Sequence, residues 1–328
     1  MLRVYLDQNK WIDLAKAKNH RTGGNPFHDT LLIAEAGVRQ GLVSFPLSSG
    51  HYIETSHIRN YARRSKLVDI MFQLSRYHSI APQELIIHSE IDAALQRFFG
   101  RPQRVRPSRV FGVGVGHAFG QPPPEFRLPD GIPMDQSTRS FIEDLAVRSM
   151  EDVSLRGFPD ETLNELEDYH PDAHRTVSFN YAQRQEELRQ RLRDSGWRTG
   201  ERSERLAVAR ALIDYTVPIE QALLRAGLSW DDLFSRGRMF LSQFVEAIPL
   251  AYTDTQLERE RHAAVDKRWE PNDLVDLDAL SKAIVYCDVV VTERQWVSLA
   301  VKAGLDKRFN TVMLFDLGDL PKHLVRSI

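Results

Sequence analysis

An apolar run, Leu2–Leu6, begins almost at the first residue and stops at Asp7-Gln8-Asn9, where a helical pattern carrying Trp11, Ile12, Leu14 and Ala15 takes over. A short buried strand passing straight into a helix is the opening of an α/β unit. Asp7 thereby belongs at the carboxyl end of the first strand, the end at which open parallel sheets gather their ligand chemistry. The same kind of pattern returns near the other terminus. Asp273 to Tyr286 reads as a helix, Val289 to Thr292 as a strand of three valines, Gln295 to Ala303 as a helix and Thr311 to Phe315 as a last strand, with a short tail after it.

Between these ends the reading changes character. A helix is expected over His28 to Arg39, with Gly41 as its stop. A second strand follows over Leu42 to Pro46, and after the turn residues Ser48, Ser49 and Gly50 comes a helix through Tyr52, Ile53 and Ile58. Further helices fit about Ser65 to Arg76 and Pro82 to Phe99. Residues 100–134, rich in Pro, Gly and Arg, read as a long loop. From about Gln136 to Arg268 the pattern is almost wholly helical, including a piece over Asp160 to Tyr169. The economical organisation is one α/β domain built from residues 1–99 and 269–328, with a loop and helical insertion over 100–268.

Bulk properties narrow the function. The 328 residues carry 43 basic and 45 acidic side chains, a formal net charge of -2. No global basic field draws in nucleic acid, so any such contact must be local. A single cysteine, Cys287, excludes an internal disulfide framework and fits a reducing cytoplasm. It sits at a helix end before a buried strand, where a packed small hydrophobe is expected rather than a nucleophile. The start MLRVYLDQNKW is not a signal peptide, and no apolar run approaches the roughly 18 to 20 residues that span a bilayer. A cytoplasmic protein with no membrane partner is expected.

Four carboxylates stand out by position. Asp7 ends the first strand, Glu54 lies one turn into the helix after the second, Asp276 opens the helix before the valine strand, and Glu293 follows that strand directly. In a parallel sheet with right-handed crossovers these positions can converge at one edge. Several carboxylates held together repel one another and remain ionised chiefly around a divalent cation. Hard oxygen ligands, with no Cys/His spacing of a zinc site, point to Mg²⁺ or Mn²⁺. Asp7 and Asp276 are then the central ligands, Glu54 a further ligand, direct or through water, and Glu293 a holder of water or a second ion. Such an ion would support in-line hydrolysis of a phosphodiester. Taken singly, each residue has a structural reading: Asp7 and Asp273/Asp276 as helix caps, Glu54 as a solvated helix residue, Glu293 as a helix-start carboxylate. Asp278 is turned about 200° from Asp276 on the helix, and Asp288 precedes its strand, so neither is expected to take part.

Other features carry less. Phe111-Gly-Val-Gly-Val-Gly-His117 lacks the Lys-Ser/Thr of a phosphate-binding loop and reads as a flexible or tightly turned loop. Arg104 and Arg109 beside Phe111 and Phe119 could hold a single-stranded backbone and stack a base, or form an ordinary exposed loop. The arginines from Arg184 to Arg205 are interspersed with glutamates, as on an ion-paired face. His51 and His57 flank Glu54 and could touch a phosphate or be structural. Trp11, Tyr52 and Trp296 read as core or site-wall aromatics.

VYLDQN at Val4–Asn9, the helix-borne Glu54, and DLDALSKAIVYCDVVVTERQW at Asp276–Trp296 together resemble the conserved blocks of PIN-domain nucleases. Asn9 matches the polar residue that often stands two places after the family's first aspartate. Ala279, Ala283 and Val291-Thr292 match the small-residue helix and the strand ending in Val-Thr. The family's acidic residue beyond that threonine is commonly an aspartate one place later, where this chain has Arg294. The resemblance covers roughly residues 1–95 and 270–316. It implies a three-layer PIN-like α/β domain with a central parallel sheet, and a Mg²⁺- or Mn²⁺-dependent endoribonuclease acting on RNA ahead of DNA. Asp7, Glu54, Asp276 and Glu293 become its catalytic and metal residues, with Asn9, His51, Thr292, Arg294, Arg104 and Arg109 on the substrate side. A toxin or defence role follows by the same likeness, with a second copy or an antitoxin-like protein as partner. Two other readings stay open: a catalytically inactive PIN-like module that binds nucleic acid or acts as a scaffold, and a metal phosphohydrolase of small molecules.

Overall fold

The computed structural model describes residues 1–19, 25–100, 108–122, 135–157, 173–197, 199–264 and 267–325. Arg104 and the helix expected over Asp160 to Tyr169 lie outside these residues. The protein is α/β and mostly helical, built on a small four-stranded parallel sheet. Strand β1 (Leu2–Leu6) is central. It pairs with β2 (Val43–Ser44) on one side and with β5 (Val289–Val291) on the other, and β5 pairs with β6 (Val312–Leu314). The order β2-β1-β5-β6 makes the chain turn outward in opposite directions from β1 and β5.

Both faces of the sheet are covered, which is why its strands are near-continuous apolar runs. Val4, Leu6, Val289 and Val291 enter one core with Trp11, Leu14, Leu31, Val38 and Met71 from helices Gln8–Asn19, His28–Arg39 and Tyr61–Ser75. Tyr5 and Val290 point the other way, into a core with Leu277, Leu280, Ile284 and Trp296 from helices Asp273–Tyr286 and Arg294–Lys302. The alternation of side chains along each strand separates the two layers.

A third core holds the helical part together. Ile86, Ile87 and Ile91 of helix Gln83–Phe99 pack with Ile219 and Leu223 of Thr216–Ala226, Phe244 of Gly237–Glu246 and Leu250 of Pro249–Ala263. The Glu90 carboxylate accepts the Leu250 N–H at 2.8 Å, placing an acid at the amino end of the 249–263 helix, and accepts the Tyr286 hydroxyl as well. Among the described residues no helix is long and apolar enough to cross a membrane.

Three details correct the sequence reading. The loop expected over 100–134 contains a strand, β4 (Phe111–Val113), and a short helix, Gly114–Ala118, within residues 108–122. β4 pairs antiparallel with a second unforeseen strand, β3 (His78–Ile80), which a bridge from Leu47 to Ser79 joins to the β2 side of the sheet. Gly112 is required there because a Cβ would stand 2.4 Å from the His117 ring, and His117 is bonded to Ser79 and to the Arg109 carbonyl. The expected C-terminal tail is instead packed: Leu317, Leu320 and Leu324 are buried in the first core.

Candidate functional site

The reversal of strand order between β1 and β5 opens a crevice at their carboxyl ends, the usual ligand position in an open α/β sheet. Leu6 and Val291 are register partners, and the Asp7 N–H donates to the Val291 carbonyl at 2.9 Å. Asp7 and Thr292 therefore leave the sheet side by side although 285 positions separate them, and the Thr292 hydroxyl donates to Asp7 Oδ2 at 2.9 Å. Asp7 Oδ1 accepts the Gln8 N–H at 2.7 Å. The Asp7 carbonyl also accepts N–H groups of Lys10 and Trp11, so the residue starts the first helix as well.

Glu54 is positioned by two anchors. Ser48 and His51 form a reciprocal cap at the start of helix Ser49–Ser56, and His51 Nε2 donates to the Leu6 carbonyl at 2.7 Å. One turn before Glu54, the helix is thus fastened to the last residue of β1. Gln8 Nε2 donates to Thr55 Oγ1 at 3.0 Å and fastens it again. Gly50 lets this helix approach the one bearing Asp276, since a Cβ there would stand 2.9 Å from a Val275 methyl.

Asp276 faces the same crevice, with Trp296 Nε1 donating to its Oδ2 at 3.0 Å. Glu293 is the N-cap residue of helix Arg294–Lys302. Its two oxygens accept the Asn9 amide at 2.9 Å and the Gln295 amide at 3.3 Å.

The electrostatics tie the four together. Burial, then Asp7 and Glu293, push the Glu54 carboxyl up to about 8. Burial, then Asp7 and Glu54, push Asp276 up to about 8, with Trp296 working against the rise and Glu293 adding to it. Asp7 is raised by burial, opposed by the bonds from Thr292 and Gln8, and further raised by Glu293. Among the described residues none of the four enters an ion pair, although a carboxylate cluster in a low-dielectric crevice calls for a cation. Lys10 opposes the rise at Asp7 by its charge while its Nζ donates to the Phe315 carbonyl at 2.9 Å, and the Arg294 guanidinium lies 4.2 Å over the Phe315 ring.

This donor set, all oxygen and negative, suits Mg²⁺ or Mn²⁺ by chemistry. Yet among the described residues no group of three or more His, Cys, Asp or Glu side chains is arranged to hold a metal ion. The hydrogen bonds give the physical reason: Asp7, Asp276 and Glu293 are each turned onto their own donors. The residues fit the ion by type, and sharing one would take side-chain closure.

The residues expected on the substrate side divide. Asn9 and Arg294 lie at the rim. Thr292 is fully buried and orients Asp7 instead of meeting substrate. His51 is also buried, and its Nδ1 accepts the Ser48 N–H at 2.9 Å, so both ring nitrogens are committed. Burial lowers its pKa to about 4, and the neutral ring is a fastener rather than a phosphate contact. Arg109 is exposed, precedes β4 and belongs with the β3–β4 pair, not with β1 and β5. Asp278 pairs with the buried Lys282 at 2.6 Å and Asp288 accepts the Arg3 N–H at 2.7 Å, both outside the cluster. Asp273 is occupied by Arg261 at 2.8 Å. Burial pushes the Cys287 thiol up, consistent with packing rather than nucleophilicity.

Sequence reasoning missed Trp296 as a hydrogen-bond donor to the site, Gln8 as a fastener, and Lys10 and Phe315 as rim residues. The one available signal was Trp296 a single helical turn beyond Glu293, with an indole N–H that needs a partner when buried.

Compared with protein-family models, with curated proteins and with solved structures, the chain gives no match.

Proposed function

We propose that the chain is a Mg²⁺- or Mn²⁺-dependent nuclease of PIN-like type that hydrolyses phosphodiester bonds, RNA ahead of DNA. One observation carries the reading: carboxylates from opposite ends of the chain meet at the β1/β5 crevice, burial and their mutual repulsion raise Asp7, Glu54 and Asp276, and among the described residues none of the four enters an ion pair. In this reading Asp7, Asp276 and Glu54 hold the ion and Glu293 positions the attacking water. Thr292, Trp296 and Asn9 orient those carboxylates, and Lys10 with Arg294 meets the phosphate chain beside Phe315. A bound ion supplies a lowered water pKa and charge neutralisation at the phosphate. The preference for RNA and a toxin or defence role follow from the family resemblance, the insertion of residues 100–268 into the α/β domain is read from the sequence pattern, and a second copy or an antitoxin-like protein is the partner proposed.

Labelled RNA and single-stranded DNA, incubated with Mn²⁺ and with EDTA, test this. Cleavage of RNA with Mn²⁺, abolished by EDTA and lowered at least 100-fold in Asp7→Asn and Asp276→Asn with RNA binding retained, is expected from a residue acting on the chemistry. No cleavage by the folded wild type under any metal refutes it. A second reading, an RNA-holding module without cleavage, is favoured by the carboxylates not already being arranged around an ion; it expects RNA binding indifferent to metal and to both substitutions.

A further inference from the structure

A second cavity, of about 1150 Å³, lies between the helical part and the two helices that bear Glu54 and Asp276. Gly50 and Ile53 line it from one of those helices, and Leu274, Val275 and Asp278 from the other. Tyr181, Gln185, Tyr215, Asp254 and Glu258 face them from the helical side. Its volume is slightly above the usual range of small-molecule clefts.

Most of its charge is already balanced. Glu258 pairs with Arg210 at 2.8 Å and accepts the Tyr181 hydroxyl at 2.7 Å and the Gln185 amide at 3.2 Å. Asp278 is paired with Lys282. Asp254 differs: it accepts the Tyr215 hydroxyl at 3.1 Å and, among the described residues, enters no ion pair. The charged groups that act on it, Glu258, Asp278 and Asp214, are all acidic. Burial and these neighbours push its carboxyl well above the usual range. On the same lining, His88 keeps a buried ring nitrogen, Nδ1, with no hydrogen-bond partner. A half-buried carboxylate among acidic neighbours and a buried nitrogen without a partner are both costly unless something else completes them. The remaining lining is mixed: Ile53, Ile87, Leu188 and Val275 form an apolar stretch beside polar and charged groups that include Gln83, Glu84, Arg184 and Gln221.

We propose that this cavity binds a small organic cation, an aliphatic ammonium or guanidinium, with its charge on Asp254 beside the Tyr215 hydroxyl and its hydrocarbon chain along Ile53, Ile87 and Val275. This site is separate from the carboxylate crevice, and its occupancy does not depend on nuclease activity.

Calorimetric titration of the full chain with n-butylamine, n-hexylamine and n-butylguanidine tests the proposal. At least one is expected to bind with one site per chain, and the neutral analogue 1-butanol is not. Asp254→Asn, which keeps the cavity, is expected to weaken binding at least tenfold. Leu188→Trp, which fills the cavity one helical turn beyond Gln185, is expected to abolish it while circular dichroism shows the fold intact. Failure of all three cations to bind the wild type, or binding unchanged in whichever variant folds, overturns the proposal.

Discussion

Replacing Glu54 with Gln removes one carboxylate from the crevice while keeping its shape. The Glu54 carboxyl stands near 8 in the folded protein against an ordinary 4.5. At about 1.4 kcal/mol per pH unit, that gap opposes ionisation by roughly 4–5 kcal/mol. The sign follows from linkage. A carboxyl raised by folding contributes stability below its unfolded value, near 4.5, and that contribution is lost as pH rises toward 8. In EDTA the wild type is therefore expected to lose stability between pH 5 and pH 8, and Mn²⁺ to restore it at pH 8. Glu54→Gln is expected to lose about 2–4 kcal/mol less over the same interval, the lower bound allowing for relaxation of the crevice. The assay is urea unfolding at both pH values, with EDTA and with Mn²⁺. Comparison with the wild type is essential, because Glu90 and Glu151, each near 7 through burial, add their own pH dependence to both proteins. An identical pH 5-to-8 loss in the two proteins would show that Glu54 is not ionising against the cluster, and the electrostatic reasoning would fail.

Trp296→Phe removes the indole donor to Asp276 and keeps most of the buried ring; it is expected to destabilise by about 1–3 kcal/mol and to weaken Mn²⁺ binding, read by calorimetry. His51→Leu leaves the Leu6 carbonyl and the Ser48 N–H without their partner, so a loss of roughly 2–4 kcal/mol in urea unfolding is expected. A folded, fully stable His51→Leu protein with specifically impaired RNA binding would instead restore the histidine as a substrate contact. Gly50→Ala drives a methyl against Val275 and is expected to cost about 1–3 kcal/mol, with a loss of Mn²⁺ affinity as the Glu54 and Asp276 helices separate.

The placement of the four carboxylates on their elements was legible because each sits beside a strong local pattern. Asp7 and Glu293 border apolar strands, and Glu54 and Asp276 lie within a turn or two of recognisable helix starts. The two strands that were missed are three residues each, too short for a period to register. β3 is also set by a turn at Arg76 and Tyr77, two non-glycine residues at positive φ, which composition does not announce. Within the helical middle the break between the helix ending at Asp214 and the one resuming at Thr216 is not legible, because both halves carry compatible helical patterns.

Local sequence alone determined the α/β character of both chain ends, the helical middle and the candidate acids, because periodicity and residue type act over a few positions. Only the tertiary structure decided the order β2-β1-β5-β6 and with it the crevice where Asp7 meets Thr292. It also turned His51 from a candidate contact into a buried fastener, made Trp296 the donor to Asp276, and left Asp254 facing a second cavity. Those outcomes depend on register, burial and dielectric between residues far apart in the chain, which no local pattern encodes.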